Sequence, residues 1–205
     1  MAKKILLISQ EFPPCVGGAG VVAYQNAIGL SRLCHKVTVL TRDWKIESTQ
    51  EFQLIKIKGI KKLWPFFMAL KINSLDLDSY DSIILNDIGA NFVWATFFKD
   101  SKYNHKISTY LHGDEVKTIL QNQSGYLKLF NYKPKYIDLL KQCKTIVSVS
   151  NYMKDYFLNH LDENIDESKI KIVYAGVDNN IFKPVKQNIQ EQYKLSKENY
   201  IITSA

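Results

Sequence analysis

The chain has 205 residues, of which 46% are hydrophobic and 23% are charged, and this composition excludes an intrinsically disordered protein. Its length suffices for one globular domain, or for one domain and the beginning of a second. The net charge of +7 allows an anionic partner. The lysines are spread along the chain without a nucleic-acid-binding motif, however, so we expect no nucleic-acid partner.

Short apolar runs recur along the chain and predict strands. Several of them are continuous rather than alternating, which is typical of strands that are covered on both faces. The first run, at residues 5–8, is too short for the apolar core of a signal peptide and is interpreted as a buried strand. The predicted strands are residues 5–8, 37–40, 52–57, 82–85, 106–111, 145–149 and 171–174.

Helical patterns lie between these runs. Residues 21–33 have apolar side chains at a helical spacing, residues 91–98 and 119–143 are further helices, and 151–161 is a helix with Asn151 as its N-cap. Alternating strands and helices predict an α/β protein with a Rossmann-like, doubly wound, mostly parallel sheet and helices on both faces. In such sheets ligands bind beyond the carboxyl ends of the strands.

The character of the sequence changes near its end. Residues 1–184 carry the alternating pattern, residues 185–199 are polar and rich in lysine, and 200–204 resemble the start of another strand. A single terminal strand cannot bury its faces unless it joins a sheet. We therefore expect a first domain at 1–184, and at 185–205 a linker with the first strand of a second, missing domain. The alternative is an edge strand of the first sheet.

The three cysteines, Cys15, Cys34 and Cys143, are far apart in the sequence. This spacing indicates neither a disulfide framework nor a zinc site, and it predicts reduced thiols in a cytoplasmic protein. No stretch approaches the roughly 20 apolar residues of a membrane-spanning helix.

A glycine cluster opens the first predicted helix. Gly18, Gly20 and Ala23 fit the dinucleotide pattern G-x-G-x-x-G/A, with Arg42 or Asp43 placed to reach a ribose. One hypothesis is therefore an NAD(P)-dependent oxidoreductase. Against it, residues 10–16 with two prolines separate the glycines from the strand, whereas that fingerprint needs a tight turn directly after the strand.

Gly17 and Gly18 instead lie at a helix start. The free amide groups and the helix dipole favour an anion there, and the absence of side chains allows it a close approach. The alternative is a helix start that uses glycine only to reverse the chain.

Four motifs follow one another in a characteristic order. E-F-P-P-x-x-G-G-A-G precedes the first helix, and C-H-K-V-T-V-L-T follows it; Y-L-H-G-D ends at Asp114; V-S-V-S-N-Y begins at Val147; and I-V-Y-A-G-V-D with F-K-P closes the series. Together they resemble the N-terminal domain of the retaining glycosyltransferases of family 4, which have the GT-B fold. This chain has Cys34 and Ala175 where that family commonly has glycine and asparagine.

The resemblance implies roles for particular residues. In the GT-B fold the first domain binds the acceptor and the second binds the nucleotide sugar. Gly17 and Gly18 would then bind the donor phosphates and stabilise the departing diphosphate. His112 would be the catalytic residue beside the transferred sugar. Asp87 and Asp114 would contact the acceptor; alternatively, Asp114 caps a helix and His112 is a satisfied strand-end histidine.

The resemblance also implies the chemistry of the whole enzyme. It would be a retaining, hexosyl-type glycosyltransferase of cell-surface polysaccharide biosynthesis, with a nucleotide diphosphate sugar as donor and a saccharide or lipid-linked saccharide as acceptor. No cofactor and no metal site are expected. Because the family's donor-binding residues belong to the second domain, the chain by itself is expected to be inactive. A second alternative is a non-catalytic module that binds glycans or activates a catalytic subunit.

Residues 58–71, K-G-I-K-K-L-W-P-F-F-M-A-L-K, mix lysines with aromatic and aliphatic side chains. Basic amphipathic segments of this composition lie in membrane interfaces, so one hypothesis is a peripheral membrane contact at the inner face of the membrane. The alternative is a loop and a helix that pack on the sheet.

Overall fold

The computed structural model describes residues 1–15, 17–43, 51–58 and 62–176, together with Asn179 and Lys183. The predicted linker and strand at 185–205 lie outside the described residues, as do residues 59–61 of the predicted membrane segment. The chain divides into two units, residues 1–175 and 176–205, and the sheet lies within the first.

The seven strands form one parallel sheet in the order β3-β2-β1-β4-β5-β6-β7. This confirms the predicted fold class. Each of the seven strands predicted within residues 5–174 is present, with ends that differ by no more than two residues from the prediction. The strands are β1 (Lys4–Ile8), β2 (Lys36–Arg42), β3 (Gln53–Ile57), β4 (Ser82–Leu85), β5 (Ile107–Leu111), β6 (Thr145–Ser148) and β7 (Ile170–Ile172).

In the described residues, helices connect every pair of consecutive strands except β2 and β3. The direction of winding reverses between β1 and β4, and at such a reversal the loops diverge and leave a crevice at the carboxyl ends of the strands. The α-helices in the described part of the chain are α1 (Gly18–Arg32), α2 (Trp64–Asn73), α3 (Ile88–Phe97), α4 (Gly125–Leu129), α5 (Tyr132–Gln142) and α6 (Asn151–Asn159).

Both faces of the sheet are buried. In β1, Leu6 and Ile8 belong to the larger core, which includes side chains of α2, α3 and α5, whereas Leu7 belongs to a second core with Ala23 and Ala27 of α1. The apolar run of β1 is therefore continuous because alternate side chains enter different cores.

Helix α1 begins three residues before the predicted start and ends one residue before the predicted end. After it, Cys34 has a φ of 64°. This is the left-handed conformation that glycine usually provides beyond a helix end, and here the cysteine adopts it. Cys34, Cys15 and Cys143 are all free, as the sequence predicts.

The single helix predicted at 119–143 is wrong. The chain instead forms a π-helical segment, Val116–Gln121, followed by α4 and α5. Gly125 and Asn131 have φ values of 54° and 47°, and such left-handed residues interrupt a right-handed helix. Apolar residues keep their helical spacing across both breaks, so the sequence pattern did not reveal that the helix is interrupted.

The N-cap predicted at Asn151 is also wrong. Ser150 has an extended backbone, and its side chain accepts a hydrogen bond from the amide of Met153 at 3.0 Å. The cap is therefore one residue earlier, and Asn151 is the first residue of α6.

No helix among the described residues is long and apolar enough to cross a bilayer.

Helix α6 offers a matched test of the core. Phe157 is fully buried, whereas Tyr152 on the same helix is 75% exposed. We expect Phe157→Ala to lower the free energy of unfolding by about 3–5 kcal/mol, because it removes a buried ring and leaves a cavity. Tyr152→Ala should lower it by less than about 0.5 kcal/mol. Urea denaturation followed by circular dichroism measures both, and equal losses would contradict the described packing.

Candidate functional site

A cavity of about 570 Å³ lies at the carboxyl ends of the central strands. All five residues predicted for the site line it, although they come from three separate loops. Parallel strands bring their carboxyl ends to one edge, and this explains why residues so distant in sequence meet there. The five are Gly17, Gly18, Asp87, His112 and Asp114.

Gly17 and Gly18 differ in their surroundings. Gly17 is the N-cap of α1, and a side chain at Gly17 would collide with the carboxylate of Glu11. Gly18 is the first helical residue, and a Cβ atom there would meet nothing within 4 Å. A side chain at Gly18 would therefore point into open space, whereas the carboxylate of Glu11 lies against Gly17.

Gly20 has a packing role. A Cβ atom on Gly20 would lie 3.2 Å from the backbone of Glu11 and of Phe12, so this glycine allows α1 to lie close against the loop. Residues 9–17 separate the end of β1 from α1. The glycines do not form the tight strand-to-helix turn of a dinucleotide site, and the pattern G-x-G-x-x-A here reflects helix packing.

Asp87 joins two loops through its carboxylate. It is the N-cap of α3, with only 6% of its surface exposed, and Oδ1 accepts from the amide of Ala90 at 2.8 Å. Oδ2 accepts from the hydroxyl of Ser9 and the amide of Gln10, both at 2.6 Å, and from the amide of Glu11 at 3.0 Å. Both oxygens are thus used within the protein, and the predicted acceptor contact of Asp87 stays a prediction.

His112 is held in one orientation at the end of β5. Its Nε2 atom lies 2.7 Å from the carbonyl oxygen of Asn86, and its ring stacks on Tyr110. Because a carbonyl only accepts, Nε2 must carry a proton and donate. The neutral ring therefore has Nδ1 as its remaining acceptor. The structure supports a hydrogen-bonded strand-end histidine and also places it in the cavity wall.

Glu115 secures the turn that follows His112. It is 1% exposed, and its two carboxylate oxygens accept from the amides of His112 at 3.0 Å and Gly113 at 2.7 Å. Gly113 has a φ of 139°, which a residue with a side chain rarely adopts. The backbone at His112 is therefore fixed by a buried carboxylate and a glycine.

Glu11 and Asp114 are the carboxylates with room for a ligand. Burial, together with the charge of Asp87, raises the pKa of Glu11, while a backbone hydrogen bond from Gly20 and the proximity of His112 act in the opposite direction. Asp114 is exposed at the cavity wall, and no hydrogen bond joins its side chain to the other described residues. Both side chains can accept hydrogen bonds from hydroxyl groups.

Sequence reasoning missed Glu11, Asn86 and Glu115 as site residues. Glu11 and Asn86 each follow a strand end, and position alone would have indicated them, as it did Asp87. Glu115 lies three residues after His112, a spacing typical of side chains that bond back to a preceding amide.

No group of three or more histidine, cysteine, aspartate or glutamate side chains in the described ranges could hold a metal ion.

Comparison with known proteins identifies the family. The model of Glycosyltransferase Family 4 matches residues 16–180. None of the curated proteins matches the sequence significantly.

Solved glycosyltransferase structures share the fold. Sucrose-phosphate synthase from Thermosynechococcus elongatus matches with a TM-score of 0.71 and 16% identity, over 95% of this chain and 53% of its own. Anabaena HepE, in complex with UDP and glucose, matches at 0.59 and 16%, over 94% and 50%. WaaG, a glycosyltransferase involved in lipopolysaccharide biosynthesis, matches at 0.59 and 12%, over 94% and 52%. The chain thus spans about half the length of these structures.

Two aspartates of the cavity allow a matched test. Asp87→Asn removes a buried charge that accepts four hydrogen bonds, so we expect the free energy of unfolding to fall by about 2–3 kcal/mol. Asp114→Asn changes an exposed side chain and should cost less than about 0.5 kcal/mol. Chemical denaturation of both variants checks this, and a loss for Asp87→Asn as small as that for Asp114→Asn would contradict the role of Asp87.

Proposed function

The chain belongs to glycosyltransferase family 4, and we propose that it is the acceptor-side half of an enzyme that transfers a sugar. The donor would be a nucleotide diphosphate sugar, and the acceptor a saccharide or a lipid-linked saccharide. The observation that carries this proposal is the single cavity to which Gly18, His112 and Asp114 all contribute. A phosphate-binding helix start and hydroxyl-binding side chains lie in one place there.

Each part of the cavity has a task in this proposal. The amides at the start of α1 would face the diphosphate at Gly18, where a Cβ atom would meet nothing within 4 Å, and they would stabilise the negative charge that develops on the leaving group. His112 offers Nδ1 to a hydroxyl group of the transferred sugar. Asp114 accepts from a hydroxyl of the acceptor. Neither a cofactor nor a metal takes part in the proposed reaction.

The second half of the enzyme would supply the remaining donor contacts. The chain spans only about half of the matched structures, which supports the expected arrangement of a first domain at 1–184 and a second that begins within 185–205. We propose a retaining transfer of a hexose, in cell-surface polysaccharide biosynthesis. The matched protein WaaG acts in lipopolysaccharide biosynthesis, which supports this pathway. Family membership and the packing role of Gly20 remove the basis for the oxidoreductase hypothesis.

The surface of α2 supports the predicted membrane contact. Its inner face is buried, but Leu63, Phe66 and Leu70 point outward, each about half exposed. A neighbouring hollow of about 310 Å³ is lined by Lys56, Lys58 and Lys71. An apolar ridge beside a lysine-lined hollow fits a membrane surface that carries anionic headgroups. We propose that this exposed face of α2 rests on the inner leaflet of a membrane. The alternative, a helix that packs on the sheet, accounts for the buried side of α2 but not for its exposed apolar side chains.

A chimera tests the proposed activity. We expect the 205-residue chain to transfer no sugar alone, because the donor-binding contacts lie elsewhere. Joined to the second half of Anabaena HepE, it should transfer glucose from UDP-glucose to a saccharide acceptor, with retention of the anomeric configuration seen by NMR. His112→Ala should lower the chimera's rate by about 100-fold or more. Asp155→Ala, on the exposed side of α6, is the control and should leave it unchanged.

Three results would contradict the proposal. Transfer by the chain alone would show that the second half is dispensable. A chimera that folds and binds UDP but transfers nothing would favour the non-catalytic module. An inverted product would exclude the retaining mechanism.

Vesicle sedimentation tests the membrane contact. We expect the chain to pellet with vesicles that contain phosphatidylglycerol and to stay in solution with phosphatidylcholine alone. Lys62→Glu/Lys71→Glu and Phe66→Ser should each reduce pelleting by about threefold or more, since each removes charge or apolar area from the contact. The controls are Lys36→Glu and Leu33→Ser, both exposed, at the start of β2 and in the turn after α1. If the variants of Lys62, Lys71 and Phe66 pelleted as much as the control variants, the proposed membrane contact would be refuted.

A further inference from the structure

The cavity is acidic, although the chain is basic. Four carboxylates line it, whereas none of its described lining residues is lysine or arginine, in a chain that carries 27 of these cations. The guanidinium of Arg42, which lies near Tyr126 at the cavity wall, is directed to the ring of Trp64, 5.5 Å from its centroid. The four carboxylates belong to Glu11, Asp87, Asp114 and Glu115.

Two of the four acids accept backbone hydrogen bonds with both oxygens, whereas Glu11 accepts one from the amide of Gly20 and Asp114 accepts none from the described residues. The oxygens of Asp87 and Glu115 accept from amides at 2.6–3.0 Å, so they contribute charge but few free acceptor positions. Glu11 and Asp114 lie close enough together for the charge of Asp114 to act on Glu11. A ligand that enters the cavity therefore meets two negatively charged groups that can still accept hydrogen bonds.

We propose that the acceptor taken by this cavity is an uncharged saccharide, and that Glu11 and Asp114 select it by accepting its hydroxyl groups and repelling phosphorylated sugars. The proposal rests on the function proposed above and names the chemical class of its acceptor. Hydroxyl groups donate strongly to carboxylates. A phosphate group brought to the same place would meet like charges with no lysine or arginine among the described lining residues to compensate them, and such a juxtaposition is strongly unfavourable.

The rest of the cavity suits a neutral sugar ring. Val22, Ile88 and Tyr126 provide apolar and aromatic wall, and His112 adds the Nδ1 acceptor. Sites for small polar ligands combine such apolar walls with a few placed polar groups. The carboxylate of Glu11 lies against Gly17, one residue from the helix start proposed for the donor diphosphate. The charge of the donor would therefore have to be compensated by the second half of the enzyme, which the proposed function already requires.

Saturation-transfer NMR on the 205-residue chain tests the proposal with matched pairs of probes. The pairs are glucose and glucose 6-phosphate, mannose and mannose 6-phosphate, and N-acetylglucosamine and its 6-phosphate. We expect at least one neutral sugar to bind about tenfold or more tightly than its phosphate. In Glu11→Gln/Asp114→Asn the ratio should fall below about threefold, because both side chains keep an oxygen acceptor but lose their charge.

The controls separate charge in the cavity from charge elsewhere. Asp100→Asn/Asp155→Asn removes two exposed carboxylates outside the cavity and should leave the ratio unchanged. Asp114→Asn alone, which alters only an exposed side chain, should give an intermediate ratio and guards against misfolding of the double variant.

Each outcome has a distinct meaning. A phosphorylated sugar that binds as tightly as its neutral partner would overturn the selectivity and leave the proposed glycosyltransferase function standing. An unchanged ratio in the double variant would overturn the role of Glu11 and Asp114. Binding of neither class by the wild-type chain would overturn the acceptor role of the cavity itself.

Discussion

The arrangement of the site depends on the buried carboxylate of Asp87. A buried charge is costly unless hydrogen bonds compensate for its lost hydration. Here the compensating donors come from the loop after β1 and from the first turn of α3. The residue therefore fastens a long loop with two prolines to the end of the neighbouring strand. The positions of Glu11 and Gly17, which lie on or beyond that loop, follow from this attachment.

A second buried carboxylate, that of Glu115, fixes the backbone in the same way at the end of β5, the strand next to β4. Glu115 accepts from the amides of His112 and Gly113, and the carbonyl of Asn86 accepts from the His112 ring. Asn86 also donates to Ser9 and to the carbonyl of Ala19. The ends of β1, β4 and β5 are thus joined by hydrogen bonds to backbone groups, which fix the backbone of this part of the cavity wall. A site built in this way is pre-organised, which is what electrostatic stabilisation of a leaving group requires.

Much of this arrangement could be predicted from the sequence, and the exceptions have physical causes. The strands were predictable because short, continuous apolar runs between helical segments are typical of buried parallel strands. The breaks at Gly125 and Asn131 were not, because apolar periodicity does not report backbone conformation. Asp87 and His112 were predictable as strand-end residues. Two of the hydrogen bonds that fix them were not, since Ser9 is distant in sequence from Asp87 and Asn86 is distant from His112. The bond from His112 to Glu115, three residues on, could have been indicated by its spacing.

The distribution of charge connects the two surfaces of the domain. The lysines beside α2 and β3 lie around an outward hollow, whereas the acids line the cavity. A lipid-linked saccharide has the same polarity, because its phosphate groups lie next to the lipid and its outer sugars are remote from them. On the proposed contacts, the lysines would hold the phosphates at the membrane, and Glu11 and Asp114 would admit only the uncharged sugar end. Opposite charges on two surfaces would then orient one substrate, which neither surface could do alone.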